Sequence, residues 1–121
     1  MTNQSLTASN LKYLLTVAQL SQKGRVRCVD VSKYLAVSRP SALRALEYLQ
    51  TMELLLRREG GAWELSPGGQ ALAAQYRDYY RVIGAFYCRL LPPEVNREAF
   101  TLNLLAEVPL GELESVCEKL Q

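Results

Sequence analysis

The stretch Val37-Ser38-Arg39-Pro40-Ser41-Ala42-Leu43-Arg44 decides how this chain is read. Ser38 offers a side-chain oxygen to the unpaired amides of a helix start, and Pro40 falls in the first turn, where its missing N–H costs nothing. The spacing predicts a helix over about residues 39–51, with Ala42, Ala45, Leu46 and Leu49 on one face and Arg39, Ser41 and Arg44 elsewhere. Just upstream, Val31, Tyr34 and Leu35 predict a shorter helix over about 30–36 that stops at Ala36-Val37. Two helices joined by so short a turn, the second opening on small polar and basic residues, fit a helix-turn-helix.

Working outward, Leu11, Leu14, Leu15 and Ala18 predict a first helix over about 8–21, with Thr7 or Ser9 as its cap and Gly24 beyond its end, followed by a short extended piece, Val26 to Val29. Downstream, residues 54–65 read as two short extended runs joined by Gly60-Gly61, residues that tolerate the positive φ angles of a tight hairpin. A hairpin directly after a helix-turn-helix makes a winged helix. Ser66-Pro67 then repeats the cap-and-proline signal. The series Leu72, Tyr76, Tyr79, Ile83, Phe86, Leu90 follows with steps of 4, 3, 4, 3 and 4. That seam is longer than a small domain needs, so it predicts packing against later helices and a second subunit, with Tyr79, Ile83, Phe86 and Leu90 as dimerisation residues. Pro92-Pro93 breaks the chain, a helix is expected over about 94–105, and Pro109 opens a last helix carrying Leu110, Leu113, Val116, Cys117 and Leu120 on one side. The expected fold is mainly α: a winged helix-turn-helix DNA-binding domain over 1–65 and an α-helical dimerisation domain over 66–121.

At 121 residues, 49% apolar and 21% charged, the chain is expected to hold a hydrophobic core without disulfides or a structural metal. No run approaches the ~18 apolar residues of a membrane helix, and the polar start lacks the regions of a signal peptide, so no membrane association and a cytoplasmic address are expected. Cys28, Cys88 and Cys117 are odd in number and widely spaced within apolar stretches, and read as reduced packing residues. There is no histidine. Without the usual neutral-pH base, a nucleophile constellation, a glycine-rich phosphate loop or a zinc spacing, the chain reads as a binding protein rather than an enzyme, with no cofactor.

Charge is unevenly distributed. Residues 23–58 carry eight basic side chains against three acidic ones, whereas residues 59–121 carry five against nine. The total of +2 therefore conceals a basic front and an acidic rear. Such a chain suits one end presented to a polyanion.

The stretches Leu6-Thr7-Ala8-Ser9, Gly24-Arg25-Val26-Arg27, Val31 to Ala42 and Leu65-Ser66-Pro67-Gly68-Gly69 resemble the diphtheria-toxin-repressor and manganese-transport-regulator family of metal-responsive repressors, in a short form with no third domain. The resemblance implies a winged-helix lobe on DNA, a helical lobe that dimerises, and a divalent metal between them that sets the binding geometry. It places Ser38, Arg39, Pro40, Ser41 and Arg44 where the family contacts double-stranded DNA; Lys33, outside that set, is expected to bind DNA with them. The chemistry agrees: groups at a helix N-terminus suit phosphate, Arg44 one turn along suits a guanine edge or a second phosphate, and Arg57 and Arg58 on the wing suit the flanking backbone.

The metal positions implied by the resemblance are occupied by Lys12, Leu15, Tyr80, Gly84, Asn96, Phe100, Asn103 and Leu104, none a usual ligand for manganese, iron or zinc beyond an asparagine carbonyl. An ammonium at Lys12 repels a cation, and Leu15, Phe100 and Leu104 are expected to fill the vacated space. The favoured reading is a metal-independent, sequence-specific regulator, a repressor acting as a homodimer. Two alternatives stay open: an organic small-molecule effector held by Lys12, Tyr80, Asn96 and Asn103, and a protein-interaction module without DNA readout.

Overall fold

The structure, a computed structural model, describes residues 6–121. It contains α1 (Ala8–Ser21), β1 (Val26–Arg27), α2 (Cys28–Leu35), α3 (Arg39–Thr51), β2 (Leu55–Arg57), β3 (Ala62–Leu65), α4 (Pro67–Leu90), α5 (Arg97–Glu107) and α6 (Leu113–Leu120), with single 3-10 turns at Glu59–Gly61 and Leu110–Glu112. The chain divides into two compact units: Lys12–Ala74, and Gln75–Gln121 with the described residues up to Leu11. The division falls inside α1 and inside α4.

In the unit Lys12–Ala74, α2 begins at Cys28, earlier than its apolar spacing suggests, because Asp30 caps it from inside. The backbone N–H of Arg27 donates to Asp30 Oδ2 at 2.9 Å, which makes Asp30 a first-turn residue. The helix stops at Leu35 because Ala36 turns left-handed, with φ of 58°. That conformation is held by the amide of Val37 on the carbonyl of Ser32 at 3.0 Å and by Ser32 Oγ on the carbonyl of Val37 at 2.6 Å. The turn of the helix-turn-helix is thus locked by its own flanks. Ser38 then caps α3 as expected, its Oγ accepting from the amide of Ser41 at 3.2 Å. Ala42, Leu46 and Leu49 of α3 are fully buried, with Val31 of α2 and Leu55 of β2.

The wing is a three-stranded antiparallel sheet in the order β1-β3-β2, with Val26 opposite Trp63 and Leu56 opposite Glu64. Gly60 and Gly61 both take φ of +80° at its tip, the backbone state predicted for them. The first run is shorter than expected, since Leu54 belongs to the turn after α3, where Glu53 is left-handed at φ of 63°. Ser66 ties that turn to the start of α4. Its Oγ donates to the carbonyl of Glu53 at 2.7 Å and accepts from the amide of Gly69 at 2.9 Å, while its own amide donates to the carbonyl of Leu54 at 3.0 Å. Gly69 is packed so closely here that an added Cβ would fall 2.0 Å from the carbonyl oxygen of Leu54.

In the second unit, Tyr76, Ile83, Leu102, Leu105, Leu113 and Cys117 are buried. The helix expected from residue 94 starts at Arg97 instead, because Val95 is drawn into a turn with Pro92 and Asn96 is the cap, its Oδ1 accepting from the amide of Ala99 at 3.1 Å. Pro109 introduces the 3-10 turn at Leu110–Glu112 before α6 rather than α6 itself. Arg97 donates to the carbonyls of Cys88 and Leu91 at 3.3 and 3.5 Å, and Arg89 to that of Leu120 at 3.1 Å. All three cysteines are free thiols; Cys117 is buried and Cys28 half-buried, but Cys88 is exposed, so a packing role does not extend to it. Among the described residues no helix is long and apolar enough to cross a membrane.

Candidate nucleic-acid interface

Burying Ala42, Leu46 and Leu49 fixes which side of α3 faces outward. Arg39, Pro40 and Arg44 are exposed, and Ser41 is half-buried. Arg44 Nη2 lies 3.4 Å from Ser41 Oγ, an approach that draws the guanidinium back along the helix toward its N-terminus. Ser38 is more constrained than the sequence suggested: its hydroxyl caps the helix and also donates to Ser41 Oγ at 3.0 Å. It shapes the helix start, leaving Arg39 and Arg44 as the long-reaching cations. Tyr48, 49% exposed and four residues beyond Arg44, shares a face with it and was missed in the sequence. Its only signal was an aromatic residue outside the apolar stripe. Cys28 lies behind the helix start, its Sγ 3.6 Å from the carbonyl of Arg39. Burial pushes this thiol up, against the lowering effect of Arg39 and Arg57.

The wing arginines occupy different environments. Arg57 sits over the Trp63 ring, 5.1 Å from its centroid, and 3.9 Å from Glu47 of α3. Arg58 is held by Glu64 through two nitrogens, at 2.8 and 2.6 Å. That carboxylate raises the pKa of the guanidinium and offsets its charge. Lys33 lies on α2 beside Lys23 and Arg25, lining a groove with them rather than joining the outward face of α3.

The seam on α4 splits. Ile83 is completely buried within the chain and has no surface to offer a partner, which corrects its assignment as a dimerisation residue. Tyr79 is half-buried, with its hydroxyl 3.5 Å from Gln75 Nε2. Phe86 is half-buried against Tyr87 at 5.5 Å, Tyr87 lies 5.5 Å from Phe100, and Leu90 is 60% exposed.

Of the residues that the sequence resemblance sets at metal-ligand positions, Phe100 is 46% exposed and does not fill a core as the sequence suggested; it is an edge residue packed on Tyr87. Leu15, Leu104, Tyr80, Gly84 and Lys12 are half-buried, and Asn96 and Asn103 are exposed. The side-chain carbonyl that opens α5, Asn96 Oδ1, is engaged as the helix cap. Among the described residues no three His, Cys, Asp or Glu side chains gather as a metal-binding group.

No protein-family model matches the sequence, and no curated protein matches it either. The fold has clear counterparts among solved structures. A hypothetical protein from Sulfolobus solfataricus, SSo2273, is similar at a TM-score of 0.65 and 17% identity, over 95% of this chain and 86% of that one. IdeR of T. acidophilum is similar at 0.68 and 20%, over 96% of this chain and 55% of that one. The manganese regulator SloR is similar at 0.68 and 19%, over 90% and 53%. The chain thus has a winged-helix fold of the diphtheria-toxin-repressor kind. It spans about half the length of IdeR and of SloR.

Proposed function

We propose that this chain is a DNA-binding transcriptional regulator, a repressor that acts as a homodimer on a roughly palindromic site and needs no metal. The observation that supports it best is the outward face of α3: Arg39, Arg44 and Tyr48 are presented on a helix capped by Ser38 and anchored by Ala42, Leu46 and Leu49. A helix fixed on one side and cationic on the other suits a major groove, with Arg44 as base reader and Arg39 and Arg57 on phosphate. Residues 1–65 carry the DNA contacts in this reading and residues 66–121 the dimer contacts. Metal independence is supported by the residues at the ligand-equivalent positions, which do not suit a cation.

Selection of bound fragments from a random duplex pool, with and without chelator, tests the reading. A single enriched motif with half-site symmetry is expected, at an affinity unmoved by chelator or by added manganese, iron or zinc. No enrichment overturns the DNA assignment, and a change of about tenfold on metal addition, worth about 1.4 kcal/mol, overturns metal independence.

A further inference from the structure

We infer that the unit Lys12–Ala74 holds a second DNA-backbone site, apart from the recognition helix, in which Lys23, Arg25 and Lys33 take phosphates along a track leading to the wing. The inference rests on the DNA-binding reading above and adds the path of the flanking duplex.

The basic front of the chain separates in space into two groups. One surrounds α3. The other lines an open groove of about 450 Å³ formed by Leu20, Lys23, Arg25, Asp30, Lys33 and Tyr34. Asp30, Lys33 and Tyr34 stand at spacings of three and four on α2, so they share one face, while Val31 and Ser32 are buried on the other. The groove also holds one carboxylate, Asp30, whose Oδ2 accepts from the amide of Arg27, so three cations stand against one anion. The cations differ from the wing's Arg58, whose charge is offset by Glu64: among the described residues Lys23, Arg25 and Lys33 carry no ion pair. Three exposed cations against a single carboxylate in an open groove suit a polyanion better than an enclosed small ligand.

Arg25 gives the track its direction. It also lines an adjoining cleft of about 330 Å³ with Gly24, Arg58, Trp63 and Glu64, and its Nη2 lies 3.9 Å from where a Cβ on Gly60 would stand. The groove on α2 therefore continues through Arg25 to the wing tip. Tyr34, 58% exposed in the groove, is placed to pack against the sugar edge of the same strand.

The test uses the full-length chain, the duplex enriched by selection, and a Lys23→Gln/Arg25→Gln variant checked for an unchanged melting temperature. The slope of log affinity against log salt is expected to fall by about 0.9 for each phosphate the variant no longer neutralises, while the ratio of cognate to scrambled affinity stays constant. An unchanged slope in the variant, with wild type binding normally, overturns this inference and leaves the DNA reading standing. A wild type that binds no duplex overturns both. Inorganic phosphate titrated in the absence of duplex supplies the remaining arm: no saturable binding supports the duplex backbone, and saturable binding that is lost in a variant whose DNA salt slope is unchanged assigns the groove to a free anion and overturns the inference.

Discussion

The guanidinium of Arg57 lies 5.1 Å from the centroid of the Trp63 ring, on a strand neighbour paired across the wing. The indole is almost wholly buried, so the cation rests on a fixed plate, and Glu47 at 3.9 Å draws it toward α3. Arg58, one residue on, is instead clamped by Glu64. Two adjacent arginines that look interchangeable in the sequence are therefore set in different electrical states.

Removing the clamp is expected to strengthen DNA binding. Glu64→Gln deletes a negative charge and releases Arg58, so affinity for any duplex should rise at low salt and its salt dependence should steepen by the equivalent of about one phosphate. The pair is solvent-exposed on both sides, so melting should barely move. Filter binding across a salt series reads both; a weaker or unchanged affinity contradicts the assignment of Arg58 to the backbone.

Specificity is expected to reside in α3. Arg44→Ala should cost about 1–3 kcal/mol on the selected site and relax preference at one position, whereas Arg57→Ala should weaken cognate and scrambled duplexes alike. Competition assays with single-base variants of the site separate the two outcomes.

Stability should be sensitive at the junction of the wing and α4. Ser66→Ala removes one hydrogen bond to the carbonyl of Glu53 and one from the amide of Gly69, a loss of about 1–2 kcal/mol. Gly69→Ala is the sharper test. In an ordinary helix it would stabilise by about 0.5–1 kcal/mol, but here the methyl meets the carbonyl of Leu54, and a loss of about 2–3 kcal/mol is expected. Urea denaturation gives the sign.

The α4 seam provides a separation of roles. Leu90→Glu should dissociate a dimer with little effect on folding, because Leu90 is exposed, whereas Ile83→Ala should cost about 2–5 kcal/mol of stability through a cavity in the chain's own core. Sedimentation velocity alongside denaturation distinguishes them.

Alkaline pH should destabilise the fold. Burial raises the pKa of Tyr76 above its ordinary 10.0 and that of Cys117 above its ordinary 9.0. Because the folded values lie above the unfolded ones, this contribution is complete at neutral pH and is lost as pH rises through them. Stability should hold flat near neutrality and decline above about pH 9, with the earlier part of the decline reduced in Cys117→Ala. A decline that begins near neutrality contradicts the assignment.

Much of the fold was legible because the deciding signals are local. Ser38-Arg39-Pro40 and Ser66-Pro67 are caps whose chemistry lies within three residues, Gly60-Gly61 is a turn that needs positive φ, and the α3 stripe Ala42, Leu46 and Leu49 repeats at helical spacing. The misjudged boundaries have equally local causes that periodicity does not register: Asp30 capping from inside α2, and Asn96 capping α5. The basic character of the front half was also plain in the sequence, since charge is additive along the chain.

Partnership between side chains was not legible. The sequence by itself determined a winged helix with cations on its third helix, because caps, turns and periodicity act over a few residues. Only the tertiary structure decided that Arg58 is offset by Glu64 while Arg25 is not, that Ile83 is core while Leu90 is surface, and that Lys23 and Lys33 share a groove. Those distinctions depend on which distant segments approach within a few ångströms, and side chains of identical type acquire different electrostatics and different exposure from that approach alone.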